Sequence, residues 1–296
     1  MTAQVTVGLD GSDESLAAAR WGAGEAVLRE VPLRLVHVEE WPNTPEVPLP
    51  YARTSAEQAE ELLRDGADRA RKEHPGLEVF TGRLCGRAAD ELTAAADEAD
   101  LMALGSRGLG GVLGFVVGSV SLSVVGAARK PVVLVRAEGA GRHAEPTAPR
   151  DGIVVGVDLH HPCESLLAFS FAEAARRRVP LRFLHSWTLP ASYGRAAVVD
   201  PGIGEELGAR LLGDLDGLLA PWRERFPGVE ATAKAVSGSA THRMAQASQG
   251  AELVIMGRRT PRLPVGTRLG RVAHAVLHHS PAPVAVVPLS EPAGTG

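Results

Sequence analysis

Two short segments carry residue types from which an anion site is built. Asp10 closes an apolar run within GLDGS, and Ser12 or Asp13 can cap a helix that follows. A carboxylate at such a turn can meet a ligand, although a capped strand-to-helix turn without one reads the same. Gly105 opens a glycine-rich stretch, SRGLGGVLGFVVGSVS, ending at Gly118 and Ser119 before the apolar run VSLSVVGAA. Glycines let backbone N–H groups turn inward and approach phosphate closely, and Ser119 and Ser121 add hydroxyl donors at a helix N-terminus. On composition alone, a glycine-rich surface lid would look similar.

Familiar phosphate and nucleophile motifs are absent. No GxxxxGK[ST] occurs, the first strand turn is not GxGxxG, and there is no GxSxG elbow. What remains is a spacing, Gly105-x2-Gly108-x9-Gly118-Ser119.

The elements that must hold these residues occur twice. VTVGLDGSDESLAAA from Val5 is echoed by IVVGVDLHHPCESLLAF from Ile153, and VPLRLVHV from Val31 by VPLRFLHS from Val179. ADLMALGSRG from Ala99 returns as AELVIMGRRT from Ala251, and KPVVLVR as APVAVVP. Asp158 thus matches Asp10, and Gly257 matches Gly105. Between the copies, RAEGAGRHAEPTAPR has small, polar and proline residues without apolar period, as linkers do. The expected organisation is a first domain over 1–137, a linker over 138–150, a second domain over 151–290 and a tail over 291–296. Each copy alternates short β-branched runs with longer Ala-, Leu-, Glu- and Arg-rich stretches, the pattern of βαβα units. In the first copy, strands are expected near Val5 to Leu9, Leu33 to Val38, Leu77 to Thr81, Leu101 to Gly105 and Val132 to Val135. Continuous apolar runs such as VVLV mean burial on both faces, hence an open, doubly wound parallel sheet flanked by helices. Such sheets bind ligands beyond the carboxyl ends of their strands, where the strand order reverses.

The spacing G-x2-G-x9-G-[ST] is similar to the nucleotide motif of the universal stress protein family, and GLDGS, LVHV and PVVLV fall at matching places. The resemblance covers nearly all of both repeats. It implies two tandem five-stranded domains of the adenine-nucleotide alpha-hydrolase-like fold and an ATP site in the first. Asp10 would contact the nucleotide, Val38 would line the adenine pocket, and Leu104 and Gly105 would flank the nucleoside. Gly108, Gly118, Ser119, Val120 and Ser121 would hold the phosphates, with magnesium an optional companion that one carboxylate does not establish. The resemblance also implies pairing through the last strands, Val132 to Val135 with Val284 to Val287, within the chain or in a homodimer.

The second copy keeps the frame and changes the chemistry. Its loop reads Gly257-x2-Thr260-x9-Gly270-Arg271, so Thr260 replaces Gly108 and Arg271 replaces Ser119. Pro261 and Pro264 remove N–H donors, while Arg258, Arg259, Arg262, Arg268 and Arg271 make the stretch basic enough to hold a phosphate by charge alone. One ATP per chain, in the first domain, is the expectation.

A net charge of −4 offers no broad basic field for nucleic acid or anionic lipid. The two cysteines, Cys85 and Cys163, form neither a CxxC pair nor a disulfide framework, and the N-terminus lacks a signal-peptide pattern, so a cytoplasmic protein is expected. His274 and His278 have the spacing of a helical zinc pair but no third ligand, and His37 and His185 end matching strands facing either ligand or solvent. Trp21, Trp41, Trp187 and Trp222 are too scattered for a base-stacking platform. The leading functional expectation is a nucleotide-dependent stress or signalling module. The rivals are a weak ATPase or phosphotransferase, which lacks an evident arginine finger or general base, and a nucleotide-free scaffold.

Overall fold

The computed structural model describes residues 3–40, 49–106, 117–137, 151–161, 164–189, 202–259 and 269–289, with side chains omitted over 49–53. Contacts divide the chain into two compact units, Met1–Glu145 and Pro146–Gly296. In the first, β1 (Val5–Gly8), α1 (Asp13–Arg29), β2 (Leu33–Glu39), α2 (Leu49–Glu73) and β3 (Val79–Cys85) are followed by α3 (Ala88–Glu98), β4 (Leu101–Gly105), α4 (Ser119–Ala127) and β5 (Val132–Val135). The second repeats this plan as β6 (Ile153–Gly156), α5 (Glu164–Arg177), β7 (Leu181–Trp187), α6 (Gly202–Arg225), β8 (Ala231–Ser237), α7 (Ala240–Ala247), β9 (Leu253–Arg259), α8 (Arg271–His279) and β10 (Val284–Leu289).

Within the first unit, the five strands lie in the order β3-β2-β1-β4-β5, all parallel. Val5 sits between Leu33 and Leu101 in register. The second unit has the matching order β8-β7-β6-β9-β10, with Ile153 between Leu181 and Leu253. In both, strand order reverses beside the first strand, which opens a crevice above its carboxyl end. The central strands are buried on both faces, as their unbroken apolar runs require.

The third strand begins at Val79, two residues later than its sequence suggests. Leu77 belongs to the turn after α2: its N–H bonds the His74 carbonyl at 3.0 Å, and Gly76 takes φ +95°. β3 is also an edge strand with alternating exposure, so it lacks the continuous apolar run that marks the others.

Helix packing differs between the units. α1 presents Ala17, Ala18, Ala23 and Ala26 to the sheet and approaches so closely that a Cβ on Gly22 would stand 2.4 Å from Val7 Cγ2. α5 presents Phe171, stacked on Phe183 at 5.5 Å and on Trp222 at 5.9 Å between ring centroids. Among the described residues, no helix is long and apolar enough to cross a membrane.

Candidate functional site

The sequence builds α1 from its cap. Ser12 is the N-cap, and its Oγ accepts from the Ser15 N–H at 3.2 Å, which satisfies one of the helix's open donors. The Asp10 carboxylate accepts from the Ser12 N–H at 2.9 Å and from its hydroxyl at 2.5 Å, so the acid is fixed at the end of β1. His37, near the end of β2, lies 2.7 Å through Nδ1 from the Leu9 carbonyl. A carbonyl only accepts, so Nδ1 carries the proton and ties β2 to the end of β1. His185 repeats the bond to the Val157 carbonyl at 3.0 Å. Neither the role nor its recurrence shows in the sequence, because the partner is a backbone atom on another strand.

Gly105 ends β4 against the first turn of α1. A Cβ there would stand 2.7 Å from the carbonyl carbon of Glu14 and 2.7 Å from the N of Ser15, both backbone atoms. Its lack of a side chain thus serves strand-to-helix packing. The Ser121 hydroxyl donates to the Gly105 carbonyl at 2.9 Å, which fixes α4 to the end of β4. The sequence offered that hydroxyl to phosphate; here its proton is engaged within the chain. Gly118 is the N-cap of α4, with φ −62° and ψ 146°. That is ordinary extended backbone, which any residue can adopt, so no positive φ calls for glycine at this position.

These residues share one cleft of about 420 Å³ at the carboxyl ends of β1, β2 and β4. Asp10, Val38, Leu104, Gly105, Gly118, Ser119, Val120 and Ser121 all line it, joined by His37 and Glu40, which were not among the expected ligands. Gly108 lies outside the described residues. The Glu40 carboxylate accepts from the Ala88 N–H at 2.8 Å and thereby caps α3. α4 enters the cleft with no side-chain cap bond and no acidic residue in its first turn. Its open N–H groups and positive dipole end form an anion-binding surface.

The second unit has a cleft of about 910 Å³ in the same place. There Asp158 accepts from the His160 N–H at 3.1 Å and from Arg259 at 2.5 Å, with His161 Nδ1 at 3.4 Å. Burial raises its pKa, but the His160 bond and the Arg259 and His161 charges outweigh that and hold it below the usual carboxylate value. Gly270 caps α8 as Gly118 caps α4, and Arg271 stands first in the helix. Thr260, Pro261, Pro264, Arg262 and Arg268 lie outside the described residues. His274 and His278 lie with ring centroids 4.5 Å apart, and burial followed by the neighbouring His278 lowers the His274 pKa. Among the described residues, no group of three metal-ligating side chains occurs.

The family model described as Universal stress protein family matches residues 1–136 and 150–288. A universal stress protein of Mycobacterium tuberculosis is 33% identical over 294 residues, covering 95% of this chain and 96% of the relative. One from Mycolicibacterium smegmatis is 31% identical over 297 residues, with 96% of each covered. The crystal structure of a universal stress protein from Archaeoglobus fulgidus DSM 4304 superposes with a TM-score of 0.70 at 20% identity, covering 96% of this chain and 98% of the other.

Proposed function

The chain belongs to the universal stress protein family, and from that premise we propose that its first unit binds ATP in the cleft between Asp10, Val38 and the amino end of α4. The supporting observation is the start of α4. An uncapped helix N-terminus, preceded by a glycine and free of acidic side chains, faces the same cleft as the Asp10 carboxylate and the apolar Val38 and Leu104. Phosphate would lie on the α4 amides, ribose near Asp10, and the base against Val38. The dimensions suit a nucleotide, since ligand pockets commonly span about 300–1,000 Å³.

Magnesium fits this arrangement only as a companion of the phosphates. Asp10 offers one carboxylate whose Oδ1 already accepts from Ser12, and no second metal-ligating cluster stands beside it among the described residues. Mg²⁺ often binds in this way, through one carboxylate, phosphate oxygens and waters. It would offset repulsion between the phosphates and the acids Asp10 and Glu40. The cleft's described lining contains no lysine or arginine to stabilise phosphoryl transfer, which supports binding as the output in preference to turnover. A nucleotide-dependent stress or signalling module of the cytoplasm is the role that follows.

Calorimetric titration with ATP, ADP, AMP and cyclic AMP tests the proposal on the wild type and on Gly118→Val. Valine is at ease at φ −62°, ψ 146°, so the variant should fold while its side chain blocks the phosphate. ATP heat in the wild type and none in folded Gly118→Val supports the site; unchanged affinity in the variant overturns it.

A further inference from the structure

We propose that the cleft of the second unit binds a small apolar carboxylate, an aromatic or aliphatic body with one anionic head, in place of a nucleotide. The assignment starts from equivalent positions. His185 makes the bond to the end of β6 that His37 makes to the end of β1, and the Gly238 N–H bonds the Trp187 carbonyl at 2.8 Å as the Gly86 N–H bonds Glu39 at 3.2 Å. Ser186 therefore stands where the first unit has Val38, and Trp187 where it has Glu39. Both line the cleft, and the Ser186 Oγ and Trp187 Nε1 are buried without a hydrogen-bond partner among the described residues. Trp187 and Ser186 are successive residues of β7 and point to opposite faces of the sheet, the indole lying against Gly208 of α6. The Ser186 hydroxyl, on the other face, is a buried, unsatisfied donor, which is costly in a folded protein and calls for a partner from outside it.

The walls have also changed. A Cβ on Gly8 would meet Leu104 at 2.7 Å and Leu92 at 3.2 Å, whereas one on Gly156 would meet Met256 Sδ at 2.7 Å and Met244 Cε at 3.2 Å. Unbranched thioethers replace branched leucines at both places, and methionine adapts to apolar bodies of varied shape. The cleft they line is about 910 Å³, against about 420 Å³ in the first unit.

The charged end selects an anion and disfavours a nucleoside. Arg271 is the first residue of α8, exposed and lining the cleft, after an N-cap glycine with no side-chain bond, so a cation is added at the helix end whose open amides already favour an anion. The one carboxylate among the described lining residues, Asp158, is held by Arg259, the His160 N–H and His161, so a ribose hydroxyl would have to compete with an ion pair for it. The His185 Nδ1 proton is spent on the Val157 carbonyl. A carboxylate head at Arg271 and an apolar body between Met244 and Met256 would match the charged end and the walls, and a second polar atom on that body would meet Ser186. A second phosphate ester would leave the apolar walls unused.

Calorimetric titration of the full chain with 2-naphthoate and with decanoate tests this, using ATP, inorganic phosphate and uncharged 2-naphthylmethanol as comparisons. Two variants restore first-unit residues, Arg271→Ser and Ser186→Val, and a third keeps the charge, Arg271→Lys. One carboxylate should bind per chain, unaffected by Gly118→Val and not displaced by ATP. Arg271→Ser should weaken it at least about tenfold, while Arg271→Lys recovers part of the loss. Failure of both carboxylates to bind the wild type overturns the proposal, as does equal binding by folded Arg271→Ser. Displacement by ATP in the Gly118→Val background also overturns it, by making the cleft a nucleotide site. None of these results depends on whether the first unit binds ATP.

Discussion

Ser119 and Arg271 occupy the same position, the first residue of a short helix behind a glycine N-cap with no side-chain bond. Asp10 and Asp158 likewise end equivalent strands, yet one is held by Ser12 and the other by Arg259. The fold thus supplies an anion-binding helix end in each unit whatever the local side chains. On the proposed reading, side chains around that end decide what a bound anion is attached to. In the first unit a small hydroxyl, Val38 and two acids surround it; in the second, two arginines, an indole and two methionines do. Duplication of a scaffold therefore duplicates the electrostatics of its backbone and leaves specificity to a handful of positions.

The sharpest way to break the comparison is to place the same side chain at both helix ends. Gly118→Val should weaken ATP binding by at least about a hundredfold, because the new side chain would occupy the phosphate position proposed on the α4 amides. Gly270→Val, where a Cβ meets nothing within 4 Å, should leave ATP affinity unchanged in the same titration.

A second contrast separates packing glycines from ligand glycines. Gly105→Ala forces a methyl against backbone atoms of Glu14 and Ser15 and should destabilise by about 1–3 kcal/mol, read as a fall in the melting midpoint. Gly257→Ala presses first on the side chain of Leu289, nearest at 2.8 Å, which can move aside, so its loss should be smaller. Equal losses would mean that the two strand ends are not packed as differently as these contacts indicate.

The bond from His185 to Val157 sits in a residue only 5% exposed, whereas His37 is partly exposed. His185→Ala should cost about 1–2 kcal/mol in chemical denaturation, more than His37→Ala, because it strands a buried carbonyl. The smallest effect concerns acid. Asp158 has a depressed folded-state pKa, so its contribution is present above the unfolded value near about 4 and is lost as pH falls through the lower folded value. Its side chain is 43% exposed, so the contribution should stay below about 1 kcal/mol. Arg259→Ser should flatten the stability curve of the second unit below about pH 4; an unchanged curve would show that the pair contributes nothing.

Much of the frame was legible because burial on both faces leaves continuous apolar runs, as at Val132–Val135, and because the repeat shows each half twice. The third strand was displaced by Leu77, an apolar residue used in a turn, on an edge where burial no longer writes a clean pattern. At the site, the loop spacing and GLDGS led to residues that do share a cleft. The physical reason assigned to one of them changed: Ser121 directs its hydroxyl proton to Gly105. What the sequence could not reveal were contacts between positions far apart in the chain, whether to a backbone atom or to another side chain. His37 with Leu9, and Asp158 with Arg259, are 28 and 101 residues apart. Ser186 escaped notice because its meaning depends on standing where Val38 stands and on a hydroxyl buried without a partner among the described residues.

The asymmetry between the clefts is tested most directly by the number of nucleotides the intact chain binds. Calorimetry of the full chain with ATP, supported by native mass spectrometry, should give a stoichiometry near one that Gly118→Val abolishes. Two comparable ATP sites, or a single site that survives Gly118→Val and maps beside Asp158, would contradict the account.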